Sequence, residues 1–247
     1  MLIPGAVSDW HGFERRDFDI GGIPAILVLP PGGFAPGRPW YWRARFFGAF
    51  PDGDFAMLKL GWAVAHINID ELYGSPESNR RFDLLYDFLT QELGMSPRPV
   101  LVGYSRGGLD VYSWAKLHPD RVGCLYLDNP VCDFKSWPGG KGKGPGHAES
   151  WQNCLRAWNF TEAEALAFKG NPVDDLGPLP ARRTPILHLA GDADEVVPFE
   201  ENTMLLAQRC RALGGNIEVI RKPGAGHHPH CLSDPAPIVE FILRNTP

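Results

Sequence analysis

The stretch that decides the fold reads Val100-Leu101-Val102-Gly103-Tyr104-Ser105-Arg106-Gly107-Gly108-Leu109, and helical spacing then continues to Leu117. A short apolar run ends in glycine, so the chain changes from strand to helix within a few residues. The segment fits G-x-S-x-G, a pattern that requires a strained turn between strand and helix, where flanking side chains would clash. This turn would project Ser105 above the sheet edge as a nucleophile. The Arg106 N–H would face a developing oxyanion at the helix start. The alternative for Ser105 is the N-cap of an ordinary helix.

Outward from this junction, apolar runs of strand length alternate with longer segments of helical period. That alternation is typical of the α/β class, with a mostly parallel sheet covered by helices on both faces. About eight strands are predicted, the first two as an antiparallel hairpin, at 13–20, 25–29, 40–44, 63–69, 100–104, 122–127, 186–190 and 217–220. Helices are predicted at 55–60, 77–93, 109–117, 201–213 and 237–244.

The alternation fails between residues 129 and 184, where a glycine-rich stretch at 139–146 follows Trp137. We interpret this segment as a cap inserted over the site of a single domain that spans residues 1–247. For the glycine-rich stretch, a disordered linker is the alternative, because ordering glycine costs much conformational entropy.

Composition excludes several classes of partner. The net charge is −5 and no dense Lys/Arg stripe occurs, so we expect neither nucleic acid nor an anionic bilayer as a partner. No run of about 18 apolar residues occurs, so we expect a soluble protein. A cytoplasmic location and, if a signal peptide has been removed, a periplasmic or secreted one both stay open. The five cysteines form no C-x-x-C pair, and we expect buried thiols.

A serine nucleophile needs a base, and the base needs an acid that holds its tautomer. Candidate acids Asp192 and Asp194 follow the strand at 186–190, at the edge where α/β sheets place their sites. Candidate bases His227, His228 and His230 follow the last strand in a glycine-containing loop. Three neighbouring histidines also raise the possibility of a metal site, but the loop has no acidic or cysteine ligand, so we expect none.

Three motifs in this order resemble the α/β-hydrolase superfamily over nearly the whole chain. They are Gly-Tyr-Ser-Arg-Gly-Gly at 103–108, Gly-x-x-Asp-x-x-Val-Pro at 191–198 and Gly-x-Gly-His at 224–227. The resemblance assigns the acid to Asp194 and the base to His227. It implies a cofactor-free serine esterase of the dienelactone-hydrolase-like or carbohydrate-esterase-like branch, which acts through an acyl-enzyme on a small-molecule or carbohydrate ester.

The chain departs from the superfamily in the loop after the third strand. Many lipases and esterases carry His-Gly-Gly or His-Gly there, whereas this chain has Arg-Pro-Trp-Tyr-Trp-Arg-Ala-Arg-Phe-Phe-Gly at 38–48. Geometry asks for a backbone N–H near the end of that strand. We therefore expect Trp42 or Arg43 to be the second oxyanion donor beside Arg106.

Several side chains are candidates for binding substrate. Arg43 and Arg45 lie two residues apart and could clamp a carboxylate or sugar hydroxyls, although ion pairing is the alternative and is favoured for Arg45. Asp70, at a strand end, could bind hydroxyls. Flat tryptophan rings can stack on a sugar, with core packing as the alternative, and the candidates are Trp40, Trp42, Trp137, Trp151 and Trp158.

Two other functions stay open at this point. A serine peptidase of the prolyl-oligopeptidase type would share all three motifs, but it would usually carry a large additional domain, for which we expect no room. A non-catalytic carbohydrate-binding protein on a hydrolase scaffold belongs to a different class, and the intact serine, acid and histidine argue against it.

Overall fold

A nine-stranded sheet runs through the middle of the protein in the order β1-β2-β3-β5-β4-β6-β7-β8-β9. The computed structural model describes residues 3–246. The strands are β1 (Ala6–Trp10), β2 (Phe13–Ile20), β3 (Ile23–Val28), β4 (Trp40–Arg43), β5 (Ala63–Ile67), β6 (Val100–Tyr104), β7 (Cys124–Asp128), β8 (Pro185–Gly191) and β9 (Asn216–Lys222). Along the sheet, the neighbours in β1-β2-β3-β5 pair antiparallel. The neighbours in β5-β4-β6-β7-β8-β9 pair parallel. The predicted α/β class is confirmed, and β1 adds a strand at the edge.

Within residues 3–246, seven α-helices accompany the sheet. They are α1 (Asp52–Lys59), α2 (Pro76–Asp87), α3 (Gly107–Leu117), α4 (Ala148–Trp158), α5 (Glu162–Ala167), α6 (Leu205–Ala212) and α7 (Ala236–Asn245). Alternate residues of β4 serve opposite faces, since Trp42 packs in the core with α2, α3 and α6 and Tyr41 packs in the core with α1 and α7. Both faces are therefore buried, as in other parallel sheets. No helix within residues 3–246 has the length and apolar character needed to cross a membrane.

The segment between β7 and β8 carries α4, α5 and the glycine-rich stretch. Backbone hydrogen bonds join Gly140 N–H to the Ser136 carbonyl (3.0 Å) and His147 N–H to the Pro138 carbonyl (2.9 Å). Lys143 N–H donates to Oε2 of Glu201 at 3.0 Å. The glycine-rich stretch thus follows a defined path, fixed at both ends and in the middle.

All five cysteines are buried free thiols, as the sequence indicates. Burial raises the pKa of the Cys124 and Cys132 thiols above the ordinary value. These thiols therefore stay protonated at neutral pH, and a protonated buried thiol is a poor nucleophile.

His188 links the middle of β8 to the helix that follows Ser105. Its Nε2 lies 2.7 Å from the Tyr112 hydroxyl of α3, and its Nδ1 lies 3.1 Å from Oγ1 of Thr203. Burial lowers the pKa of His188 to about 3. In the unfolded chain the imidazole of His188 gains its second proton near pH 6.5, whereas in the folded chain it does so only near pH 3. The contribution of His188 to the free energy of unfolding is therefore complete above pH 6.5 and declines as the pH falls.

We expect His188→Gln to weaken the dependence of stability on pH. Between pH 6.5 and 4 the native free energy of unfolding should fall by about 2–3 kcal/mol more than that of the variant. Urea denaturation at several pH values measures this difference, with the exposed His11→Asn as a matched control. If the free energy of unfolding changed equally with pH in native protein and in His188→Gln, the lowered pKa of His188 would be contradicted.

Candidate active site

Ser105 stands at the junction of β6 and α3 in a strained backbone conformation, with φ of 50°. A Cβ at Gly103 would lie 2.8 Å from the Gly107 carbonyl oxygen, and one at Gly108 would lie 2.7 Å from that of Val131. Only glycine fits at both places. Close backbone approach therefore requires glycine at Gly103, the first glycine of G-x-S-x-G, whereas a Cβ at Gly107, the second, would make only ordinary contact with Arg45 at 3.7 Å. Strain at a single serine on such a turn is typical of a functional position.

Ser105, His227 and Asp194 form one hydrogen-bonded chain. Oγ of Ser105 lies 3.0 Å from Nε2 of His227, and Nδ1 of His227 lies 2.7 Å from Oδ2 of Asp194. Oδ1 of Asp194 accepts from the N–H groups of Val196 (2.9 Å) and Val197 (2.8 Å). A carboxylate can only accept, so Nδ1 of His227 carries the proton, which leaves the lone pair on Nε2 for the serine hydroxyl.

Asp192, the other candidate acid, makes different contacts. Its Oδ1 accepts from Gly224 N–H at 2.6 Å, and its Oδ2 pairs with Arg221 at 2.9 Å. It therefore fastens the start of the histidine loop, while Asp194 contacts the imidazole itself.

Asn129 joins the loops of the acid and the base, and sequence reasoning missed it. Its Nδ2 donates to the His227 carbonyl at 2.7 Å, and its Oδ1 accepts from Gly191 N–H at 2.7 Å. Its φ is 42°, in the left-handed region that asparagine tolerates better than most residues. The available signal was an asparagine directly after β7, at the same sheet edge as the motifs.

We expect Asn129→Ala to lower kcat by about tenfold to hundredfold, because a small displacement of the base disrupts the attack geometry. Steady-state kinetics with a thermal melt would separate this effect from loss of folded protein. Asn159→Ala is the matched control, since Asn159 is exposed at the end of α4 and has a φ of 53°. Equal kcat for the two variants would contradict the positioning role of Asn129.

A second buried acid and histidine lie beside the first pair. Nδ1 of His230 lies 3.0 Å from Oδ1 of Asp128, whose Oδ2 accepts from Cys231 N–H at 2.6 Å. Nζ of Lys222 lies 3.4 Å from Oδ1 of Asp128, and the His230 ring stacks on Tyr104 with 5.2 Å between centroids. Asp128, which ends β7, thus holds His230 and not His227.

Two small cavities open on either side of Ser105. We call the first the histidine cavity; it has a volume of about 170 Å³ and is lined by Phe46, Ala49, Phe50, Ser105, His227, His228 and His230. The second, the cap cavity, has a volume of about 260 Å³ and is lined by Phe46, Ser105, Arg106, Trp137, His147 and Ser150. Of the predicted substrate-binding residues, Trp137 lies here. Larger surface clefts of about 590 and 720 Å³ do not include Ser105.

The prediction that Arg43 binds substrate is wrong. Its guanidinium is buried and pairs with Asp54 at 3.3 Å. It also donates to the carbonyls of Phe46 (3.0 Å) and Ala49 (2.8 Å) and lies 3.9 Å from the centroid of the Tyr104 ring. Arg43 therefore stabilises the loop that contains Phe46 and Ala49, two residues that line the histidine cavity.

Trp42 and Arg43 are also poorly placed to be oxyanion donors. Trp42 lies inside β4 between two parallel neighbours, and Arg43, the last residue of β4, still pairs with Val102 of β6. The ladder continues past them, with Ala44 N–H on the Val102 carbonyl at 2.9 Å. Phe46 lies just beyond and lines both cavities. Within residues 3–246, the N–H groups of Phe46 and Arg106 have no hydrogen-bond acceptor.

Three further substrate candidates lie elsewhere. Trp40 is buried and its Nε1 donates to the Ser96 carbonyl at 2.8 Å. Trp151 is buried in the cap against Phe134, with 6.1 Å between ring centroids. Asp70 is 75 % exposed and pairs with the buried Arg45 at 3.2 Å, outside both cavities. These predictions are wrong because the tryptophans fill cores and the carboxylate pairs with arginine.

The amino-acid sequence from residue 66 to 241 matches the prolyl oligopeptidase family, Peptidase_S9. The chain belongs to this family. Membership in the prolyl oligopeptidase family confirms the resemblance to the α/β-hydrolase superfamily, and Ser105, His227 and Asp194 have the arrangement of a serine hydrolase site. None of the curated proteins matches the chain.

Solved structures of the same fold include both peptidases and an esterase. A puromycin-hydrolysing peptidase of Mycobacterium tuberculosis shares 14% identity with a TM-score of 0.67, over 93% of this chain and 38% of its own. An acylaminoacyl peptidase of Pyrococcus horikoshii shares 15% identity with a TM-score of 0.67, over 95% of this chain and 42% of its own. A cold-adapted esterase from an Arctic intertidal metagenomic library shares 13% identity with a TM-score of 0.63, over 100% of both chains. The chain thus spans well under half the length of the two peptidases.

Proposed function

We propose that this protein is a serine esterase that cleaves small esters through an acyl-enzyme on Ser105. The observation that carries the proposal is the hydrogen-bonded chain from Ser105 through His227 to Asp194, placed between two small cavities. Cavities of about 170 and 260 Å³ suit a short acyl group and a small alcohol.

The reaction follows from the positions of the donors and acceptors. Nε2 of His227 takes the hydroxyl proton as Oγ of Ser105 attacks the ester carbonyl, and the N–H groups of Arg106 and Phe46 stabilise the oxyanion. His227 then gives that proton to the leaving alcohol. Water, activated by the same nitrogen, releases the acid, and Asp194 stabilises the imidazolium at both stages.

The transfer of the proton from His227 to the leaving alcohol determines which cavity holds which part of the substrate. The leaving oxygen must come within hydrogen-bond reach of Nε2 of His227, so the alcohol occupies the histidine cavity. The acyl group then occupies the cap cavity, where Trp137 offers an apolar face. The guanidinium of Arg106 is already paired there with Glu71 at 2.7 Å, so a neutral acyl group fits better than an acid. Only Trp137 among the candidate tryptophans lines this cavity, which favours short acyl chains over a stacked sugar.

A peptidase is the second candidate function, and membership in the prolyl oligopeptidase family favours it. The two functions differ in the bond that is cleaved, because an amide leaving group is harder to expel than an alcohol. A comparison must therefore use one acyl group on two leaving groups.

The test pairs p-nitrophenyl esters with p-nitroanilides of the same acyl group, from acetyl to octanoyl and including blocked aminoacyl groups. Each kcat/KM is divided by the rate of spontaneous hydrolysis of that compound. We expect the corrected ratio to favour esters and to fall with acyl length. Corrected rates that favour blocked aminoacyl anilides would establish the peptidase instead. A fluorophosphonate probe with peptide mass spectrometry tests the nucleophile separately, and the label should lie on Ser105.

A further inference from the structure

The three histidines of the loop after β9 form a cluster, and the esterase mechanism uses only one of them, His227. One ring nitrogen from each of His227, His228 and His230 lies within 4.8 Å of the others. The ring centroids are 4.8, 5.1 and 4.9 Å apart, and the ring planes cross at 69°, 80° and 90°. Two nitrogens bound to one tetrahedral ion at about 2.0–2.1 Å lie about 3.3–3.4 Å apart, so the three rings already converge and would have to close by up to about 1.5 Å to bind an ion.

Two of these rings have a carboxylate at hydrogen-bond distance from Nδ1. Nδ1 of His227 faces Asp194 at 2.7 Å, and Nδ1 of His230 faces Asp128 at 3.0 Å. The nitrogen left on each ring is therefore Nε2, with its lone pair available. Histidine ligands of metals usually have a carboxylate or carbonyl on the second nitrogen, which fixes the tautomer and raises the basicity of the ligand. The sequence indicated no metal because the histidine loop itself lacks acidic residues. The carboxylates that contact the histidines come from elsewhere, Asp128 from the end of β7 and Asp194 from the loop after β8.

We propose that His227, His228 and His230 bind one divalent transition-metal ion of the zinc class, and that this ion reversibly inhibits the enzyme. Imidazole nitrogen suits Zn²⁺, Ni²⁺ and Cu²⁺, whereas Mg²⁺ prefers oxygen. Oγ of Ser105 is 3.0 Å from Nε2 of His227, a separation that suits adjacent ligands and makes the hydroxyl or a water the fourth ligand.

Binding and inhibition have the same cause. The metal occupies the lone pair of Nε2 on His227, the pair that takes the proton of Ser105, and it fills the cavity proposed for the alcohol. His228 is exposed and closes the site by a rotation of its side chain. The two buried carboxylates offset the charge of the ion, and Lys222, 3.4 Å from Asp128, is the cation that opposes it.

The first experiment measures binding without any substrate. After dialysis against EDTA, native protein is titrated with ZnCl₂ and separately with MgCl₂ by calorimetry, alongside His228→Gln, His228→Ala and His11→Asn. His11 is an exposed histidine outside the cluster. We expect one zinc site in native protein and in His11→Asn, at least tenfold weaker binding in both His228 variants, and no binding of magnesium. Absence of zinc binding, or equal affinity in the His228 variants, would overturn the proposal.

The second experiment concerns inhibition, which rests on the proposed esterase function. Hydrolysis of p-nitrophenyl acetate should fall with zinc at a midpoint equal to the calorimetric dissociation constant and return on adding EDTA. The midpoint should rise at least tenfold in His228→Gln, measured against the metal-free activity of that variant. Zinc bound at this site with full activity would overturn the inhibitory part. If p-nitrophenyl acetate is not hydrolysed, the esterase proposal fails and calorimetry still decides the metal site.

Discussion

Ser105→Ala is expected to lower kcat on p-nitrophenyl acetate by at least about a thousandfold, with little change in KM. The hydroxyl is the group that attacks, and its contact in the free enzyme is the 3.0 Å bond to His227. Removing one oxygen atom therefore deletes the nucleophile and leaves the oxyanion donors and both cavities in place. The residual rate measures what those donors contribute without covalent catalysis.

The control for this variant is Ser8→Ala, an exposed serine in β1 far along the sheet from the site. Circular dichroism and a thermal melt would show that both variants fold. Equal kcat in native protein and Ser105→Ala would mean that another group carries the activity. A loss in Ser8→Ala as large as that in Ser105→Ala would point to loss of folded protein.

The convergence of the three motifs could be predicted from the sequence alone. Each follows an apolar strand, and the carboxyl ends of parallel strands meet at one sheet edge. Spacing along the chain did not matter, since Ser105 and His227 are 122 residues apart and still form a hydrogen bond. The strained turn at Ser105 was also predictable from the G-x-S-x-G pattern, and at Gly103 the structure gives the reason, because a Cβ there would lie 2.8 Å from the Gly107 carbonyl oxygen.

The surroundings of the site could not be predicted in the same way. Alternation in β4 indicates which residues share a face, but both faces of a central strand are buried, so it could not show that Trp40 and Trp42 face a core. Arg43 looked functional because it lies where the oxyanion loop was expected, but its guanidinium is buried and pairs with Asp54 from α1. Only the packing of a helix against the sheet reveals such a pair.

The sequence also could not show which carboxylate pairs with which histidine. The loop at 224–230 offers three histidines, and the end of β7 and the loop after β8 offer the carboxylates of Asp128, Asp192 and Asp194, which leaves several combinations open. The structure pairs Asp194 with His227 and Asp128 with His230. The edge strand β1 was missed because its five residues are mostly exposed and mixed in character.

The pairing of Asp194 with His227 predicts the second large effect, a loss in kcat of about 10³ to 10⁴ in Asp194→Asn at neutral pH. Oδ1 of residue 194 accepts two backbone N–H groups, from Val196 and Val197. An asparagine keeps its oxygen there and must therefore turn its NH₂ toward Nδ1 of His227. That donor forces the proton onto Nε2, which then faces Ser105 with no lone pair to accept the hydroxyl proton. The measurement is kcat on the ester preferred by native protein.

Asp192→Asn is the matched control, because it makes the same chemical change two residues away. Its oxygen can still accept from Gly224 N–H, and what is lost is a pair with Arg221, whose side chain is more than half exposed. Exposed pairs of this kind contribute little, so we expect kcat within about threefold of native. The opposite order, with Asp192→Asn impaired and Asp194→Asn active, would make Asp192 the working acid. If Asp128→Asn alone abolished activity in folded protein, the second acid and histidine would carry the reaction, and the 2.7 Å bond between His227 and Asp194 would then be structural.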